Sequence, residues 1–528
     1  MRRLPLIVVV VAVLAAVAIS VLGSGGRPGP SAAPTGSRPG GSSVAVGGSS
    51  ASPSAGGPAP SGPAASASVP PVDAPLADIA IVPVTQFRTT VVSIARADVQ
   101  AALAGSSTRF DALELVASEA DAILAGLGVD RPAGDAHLVL APDATTLSKD
   151  LAAHRKHLGV LRADAVGPGV RALAWAGRQL FGVDAVKSVE AWGLTARLPQ
   201  PVDTPPFDPA GSWTLVAGGD IMLDRGVAQT LTVKGKGADF AFDGGTAEVT
   251  GTCKDCSPLG WDTPYTKRTG NGGALRHLLE SADLAIANFE NPAPDSYRYH
   301  TTGTVFSANP KLIAGLADAG IDWVGIANNH IRDAGGEGIL ETIANLKRYG
   351  IRSSGAGKNL KAARTPAILD VRGVKVAFLA YDTIAKSYGA TSERAGSAQM
   401  SAAAVRTDVK TARKAGADLV VVMPHWGIEY RSTPFPRQQE LARYAIDAGA
   451  DMVIGNHAHW AGAMEVWDGK PIWYALGNFV FDQTWSEPTM EGITLELTFR
   501  GGTLVQARMR PHIILDKSQP NFLDPRGD

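Results

Sequence analysis

Eight side chains able to bind a divalent cation recur from residue 220 onward: Asp220 and Asp224 in GGDIMLD, Glu290 in ANFEN, Asn329 and His330 in ANNH, His425 in MPHW, and His457 and His459 in GNHAH. Carboxylates, an amide oxygen and imidazoles together suit borderline or hard ions such as Mn²⁺, Fe²⁺ or Zn²⁺. A carboxylate can bridge two ions. Two ions about 3.5–4 Å apart can clamp an in-line displacement at phosphorus and lower the pKa of a bound water. Any one of these residues alone would read as structural. The signal is their repetition at successive strand ends. Asn288 and Asn478 also stand at strand ends and are expected only to bond loop backbone.

The elements that must position these groups are visible as apolar runs. WTLVAGGD, DLAIAN, WVGIAN, VKVAFLAY, DLVVVMPH, DMVIGNH and IWYALGN read as strands, and GILETIANLKRYG and FPRQQELARYAIDAG as helices between them. Runs buried on both faces and joined by helices indicate an α/β sheet. In such a sheet the ligand site lies beyond the carboxyl ends of the strands, so residues distant in sequence converge. Gly455 and Asn456 signal a turn that can aim His457 and His459 separately. GITLELTF and TLVQARMR alternate polar and apolar and read as an antiparallel hairpin closing the sheet.

The rest of the chain divides by composition. Arg2 and Arg3 precede an apolar run from Leu4 to Leu22, which reads over residues 1–22 as a signal peptide or, at this length, a retained signal anchor with the body outside the cytoplasm. Residues 23–72 are almost all Gly, Ser, Pro and Ala and read as a disordered spacer. Residues 73–198 read as a small accessory α/β domain of no assigned role. FDALELVASEADAILAGLG is expected to be one amphipathic helix there, and His154 and His157, three apart on an expected helix, could share a face but read first as two solvent-exposed histidines. A Pro-rich linker at 199–212 leads to the second domain, 213–510, and a C-terminal tail at 511–528. Cys253 and Cys256 in GTCKDCSP are expected to form a local disulfide, because a zinc site would need four ligands and the pair supplies two. The net charge of −1 argues against a nucleic-acid partner, which would call for a basic stripe.

With these motifs in hand, residues 212–510 resemble the CapA family of poly-γ-glutamate capsule biosynthesis proteins, which are similar to calcineurin-like metallophosphoesterases. The stretches that carry the resemblance are GGDIMLDRGV, IANFENP, VGIANNHIRDAGGEGILETIANLKRYGI, VVMPHWGIEY, VIGNHAHW and YALGNFVFDQ. The resemblance implies a four-layer α/β/β/α sandwich with a two-metal crevice. It implies that Asp220 binds a first metal, that Glu290 bridges, and that Asn329, His425 and His457 bind the second. His459 would return to the first, and His330 would protonate the leaving oxygen. The phosphoesterases carry a histidine where this chain has Met222, a poor ligand for hard ions. The first site is therefore one ligand short unless Asp224 or water fills it.

Two functions follow as expectations. One is an extracytoplasmic metal-dependent hydrolase acting on a phosphoester or related bond of a cell-envelope substrate. The other is a capsule assembly or export factor that binds an anionic polymer such as poly-γ-glutamate without cleaving it.

Overall fold

The computed structural model of the protein describes residues 74–134, 136–201 and 205–523. The expected anchor at 1–22 and spacer at 23–72 lie outside the described residues. Among the described residues no helix is long and apolar enough to cross a membrane.

The accessory domain is a six-stranded sheet with helices packed on it. Its elements are β1 (Leu76–Gln86), β2 (Ala112–Val116), α1 (Ala120–Leu127), β3 (Leu138–Ala141), α2 (Ala144–Ala153), β4 (His157–Arg162), β5 (Val170–Ala172) and β6 (Thr195–Pro199). The strand order is β3-β2-β4-β1-β5, with β6 also paired to β1. Two expectations fail here. The segment from Phe110 is not one helix. Ala112–Val116 is a strand buried on both faces, and only Ala120–Leu127 is helical, ending at Gly128 in the left-handed conformation. A fully buried strand has no alternation to distinguish it from a buried helix segment. His154 and His157 do not share a helix either: His154 caps α2, His157 opens β4, and their rings stack at 4.7 Å.

The second domain begins with β7 (Ser212–Ile221), which is followed by an excursion, β8 (Thr246–Cys253) and β9 (Thr263–Gly270). Cys253 and Cys256 are joined by a disulfide where β8 ends. Then come β10 (Leu284–Phe289), β11 (Trp323–Gly325), α3 (Gly335–Arg348), β12 (Arg352–Ser354), β13 (Ala367–Val371), β14 (Val374–Asp382), α4 (Ala402–Lys414), β15 (Leu419–His425), α5 (Pro436–Asp447), β16 (Met452–Ile454), β17 (Met464–Trp467) and β18 (Lys470–Trp473). The last strands are β19 (Asn478–Val480), β20 (Glu491–Arg500), β21 (Thr503–Leu515) and β22 (Gln519–Leu523). One sheet runs β9-β8-β22-β21-β20-β7-β10-β11-β12, with β19 also on β7, and the other β13-β14-β15-β16-β18-β17.

Side-chain alternation divides these strands between layers. Trp213, Leu215 and Ala217 of β7 meet Phe378 of β14 and Val421 of β15 between the sheets. The opposite faces pack on helices: Ala285, Ala287 and Phe289 against Ile339 and Leu346 of α3, and Leu379 and Val422 against Val405 of α4 and Leu441 of α5. The result is the four-layer α/β/β/α sandwich. β20 and β21 pair antiparallel from Glu491↔Ile513 to Arg500↔Thr503, as their alternation requires. The segment expected as a tail from 511 instead completes β21 and adds β22, which pairs with both β21 and β8.

Candidate metal centre

Asp220, Glu290, His425, His457 and His459 come together where β7, β10, β15 and β16 end. β7 and β10 run parallel with Asn288 opposite Asp220, so Asp220 and Glu290 emerge side by side. Gly219 permits this. A Cβ there would lie 2.0 Å from the Gly477 carbonyl oxygen, so β19 can approach β7 only because the position is glycine. His425 is the last residue of β15. After β16, the turn puts His457 at φ 93° and His459 at φ 56°, both in the left-handed region. Non-glycine residues rarely hold that conformation, and it concentrates at sites where the surroundings enforce it. Here the His457 amide donates to Asp220 Oδ2 at 3.1 Å, which fastens the turn to the neighbouring sheet.

Two groups of donor atoms share Glu290. Glu290, His425 and His457 form one, Asp220, Glu290 and His459 the other, and in each the ligand atoms lie within 4.8 Å of one another. Asn329 joins the first: its Oδ1 is 2.7 Å from His425 Nε2, which is itself 3.1 Å from His457 Nδ1. Both carboxylate oxygens of Glu290 are buried without a hydrogen-bond partner among the described residues. Oε1 faces imidazole nitrogens instead, at 3.5 Å from His425 Nε2 and 3.9 Å from His459 Nε2. A bare buried carboxylate is costly, and a cation is the species that this donor set lacks. The residues present fit divalent metal.

Burial governs the electrostatics. It pushes Asp220 up to about 7, and pushes Glu290 well above the carboxylate range with the Asp220 charge adding to it. It holds His425 and His457 well below the usual imidazole value and His459 down at about 3. The histidines are thus neutral, the form in which imidazole ligates metal.

Supporting residues fix these groups, and two of them differ from expectation. Asn288 does not serve loop backbone: its Nδ2 donates to Asp220 Oδ1 at 2.7 Å and lies 3.2 Å from His425 Nδ1. Asn478 Oδ1 accepts from His459 Nδ1 at 2.9 Å, and its Nδ2 donates to Gln483 and to the Thr489 carbonyl. Asp224 does not join the cluster. Its carboxylate caps Arg225 and accepts from the backbone of His300 and Ser307 and from the His300 ring, so its oxygens are spent on holding that loop. Met222 packs in the core, with its sulfur against the Asp224 amide. The Asp220–His459 group therefore has three residue donors, and the group with Asn329 has four.

His330 stands at the edge of the cluster, with its Nε2 3.9 Å from Glu290 Oε1. Its Nδ1 pairs with Asp333 Oδ2 at 2.9 Å, and the ring lies on Phe306 at 4.1 Å. Asp333 also accepts from the Tyr388 hydroxyl and the Phe306 amide. Sequence reasoning missed Asp333. Its only sequence signal is the position three residues after His330. It also missed Arg225, whose guanidinium lies over Phe306 at 4.9 Å and is held by Asp482 and the Gly303 carbonyl. Arg225 is close enough to Glu290 to lower its pKa. Tyr430 and Phe481 flank the His459 ring at 6.0 and 4.9 Å.

Comparison with known proteins places this arrangement in a family. The chain is 36% identical over 230 residues to the capsule biosynthesis protein CapA of Bacillus anthracis, covering 42% of this chain and 56% of that protein. It is 31% identical over 290 residues to a probable polyglutamine synthesis accessory protein of Mycobacterium tuberculosis, covering 51% of this chain and 74% of that one. The chain thus spans little more than half the length of the Bacillus relative. Among solved structures, the calcineurin-like phosphoesterase YfkN of Bacillus subtilis aligns over 59% of this chain and 93% of that chain, at 12% identity and a TM-score of 0.32. A likeness that distant transfers nothing about chemistry. The family model described as bacterial capsule synthesis protein PGA_cap matches residues 214–483, just over half of the 528-residue chain. The chain belongs to the bacterial capsule synthesis protein family.

Proposed function

We propose that the protein is a metal-dependent hydrolase acting on a phosphoester or related bond of a cell-envelope or capsule-polymer molecule. The observation that carries this reading is Glu290, whose two oxygens are buried without a hydrogen bond among the described residues and whose Oε1 faces the imidazoles of His425 and His459. Asn329, His425 and His457 with Glu290 would hold one divalent ion, and Asp220 and His459 with Glu290 a second. Such ions supply Lewis-acid polarisation of a phosphoryl oxygen and activation of a water.

The chain's own residues do the rest. Asn288 and Asn478 orient Asp220 and His459 through hydrogen bonds to Asp220 Oδ1 and His459 Nδ1. Asp333 holds the Nδ1 proton of His330, and Nε2 accepts from Asn329 Nδ2 at 2.9 Å at the edge of the cluster. With Asp333 balancing the charge, a proton taken up at Nε2 can pass from there to a leaving oxygen. Arg225, fixed over Phe306 and paired with Asp482, would add a largely buried guanidinium beside the site where an anionic substrate binds.

The apolar run Leu4–Leu22 and the disulfide of Cys253 with Cys256 support an extracytoplasmic location with an N-terminal membrane anchor. The test is turnover of phosphomonoester and phosphodiester panels by the metal-loaded protein. Asn329→Ala and His457→Ala should abolish it, and undiminished turnover in both variants would refute the mechanism.

A second reading rests on the unequal donor sets. With Met222 in the core, the Asp220–His459 group has only three residue donors, so open positions there would accept carboxylates of an anionic polymer such as poly-γ-glutamate. A capsule assembly factor of this kind would bind polymer and not cleave it. A deletion strain rescued by His330→Ala as well as by the wild-type chain would favour it.

A further inference from the structure

The accessory domain docks on the outer face of β20 and β21, and apart from Val505, which joins the accessory domain's core, that face is polar. β20 and β21 alternate there: Leu495, Leu497 and Phe499 point between the sheets, while Thr494, Glu496 and Thr498 point out. Gln506 of β21 reaches across the seam to β5. Its Oε1 accepts from the Ala172 amide at 2.8 Å and its Nε2 donates to the Val170 carbonyl at 3.0 Å, bracketing Arg171. Glu496 accepts from the Val183 amide at 2.9 Å. The two domains therefore share a hydrogen-bonded seam.

Positive charge in this seam exceeds negative. Glu496, fully buried, faces Arg508 at 3.8 Å and Arg510 at 2.7 Å. Burial holds Arg171 down at about 9, with Arg508 and Arg510 adding to the depression and Glu496 opposing it. Among the described residues the Arg171 guanidinium has no hydrogen-bond or ion-pair partner. Asp184, the next acid, is already paired with His277 at 2.8 Å. Arg508 is 5% exposed and donates through NH1 to Gln179, yet its Nε is buried without a partner. Three guanidiniums thus share one carboxylate. Arg510 is 31% exposed at its side chain, so the cluster is open to solvent at one end.

We propose that this seam is an oxyanion-binding site, in which Arg171, Arg508 and Arg510 hold a carboxylate or phosphate group between the two domains. A guanidinium fork matches the two oxygens of either group, and such pairs are shorter and stronger than neutral hydrogen bonds. The site is separate from the metal centre and independent of what that centre does. Its ligand would fasten the accessory domain to the sandwich.

The experiment is thermal unfolding of the full chain, stripped of metal with a chelator, at fixed ionic strength with chloride, inorganic phosphate or a short glutamate oligomer. Saturating anion should raise the wild-type midpoint over chloride by on the order of 3 °C, and Arg171→Gln should lose that rise while keeping its metal content on reloading. Arg510→Gln, on the solvent side, serves if Arg171→Gln fails to fold. A rise with phosphate alone identifies a free ion as the ligand. A larger rise with the oligomer identifies an acidic chain. No rise with either anion, or equal rises in wild type and both variants, would overturn the proposal.

Discussion

At the residue scale the account turns on what each side chain near Glu290 is for. His330→Ala should lower turnover by about 10²–10⁴-fold without changing bound metal, because the ring touches Asn329 through its Nδ2 and not through the Oδ1 that faces His425. Asp333→Asn should act through His330 and cost about 10–100-fold, and it should shift the pH–rate profile, which a purely structural loss would not do. The measurement is a pH profile of turnover with metal content determined on the same samples. The ligand types were legible in sequence because each ends an apolar run. The partners of Asn288 and Asn478 were not, since the amide of Asn288 meets Asp220 only through the register of β7 with β10. Asp224 was misplaced for a related reason. Two residues beyond Met222 the chain has already turned into a helix cap, and the carboxylate serves the turn.

At the scale of elements, strand approach decides whether the ligands meet. Gly219→Ala would place a methyl 2.0 Å from the Gly477 oxygen and force β7 and β19 apart. The expected cost is about 1–3 kcal/mol, with weakened metal binding because Asp220 follows directly. Denaturant unfolding and a metal titration on the same variant check both. The sandwich strands were readable because side-chain alternation assigns each residue to a layer. Ala112–Val116 was not, because all five residues are buried and nothing alternates. The end of the sheet was missed as well. Pro511 reads as a strand stop, but it falls where β21 is paired on one side only, to Ile493, and pairing with β22 begins at His512.

At the scale of the molecule, the two domains are coupled through Glu496. Burial pushes its carboxyl up, but Arg508 and Arg510 outweigh burial and hold it at about 2, below its ordinary 4.5. A carboxylate depressed in the folded state contributes stability above its unfolded pKa and loses it as pH falls through the folded one. Glu496→Gln should therefore cost about 3–5 kcal/mol at neutral pH, and the difference from wild type should shrink between pH 4.5 and about 2. Acid unfolding of both chains, followed by circular dichroism, tests this. No sequence pattern announced the seam, since Arg171 and Glu496 are joined only by tertiary docking. The central claim remains the pair of donor groups that share Glu290, and elemental mass spectrometry of the purified full chain tests it most directly. The prediction is two divalent ions per chain in the wild type and their loss in Glu290→Gln; a wild-type chain that stays metal-free after reloading, or a variant that keeps its full complement, would contradict it.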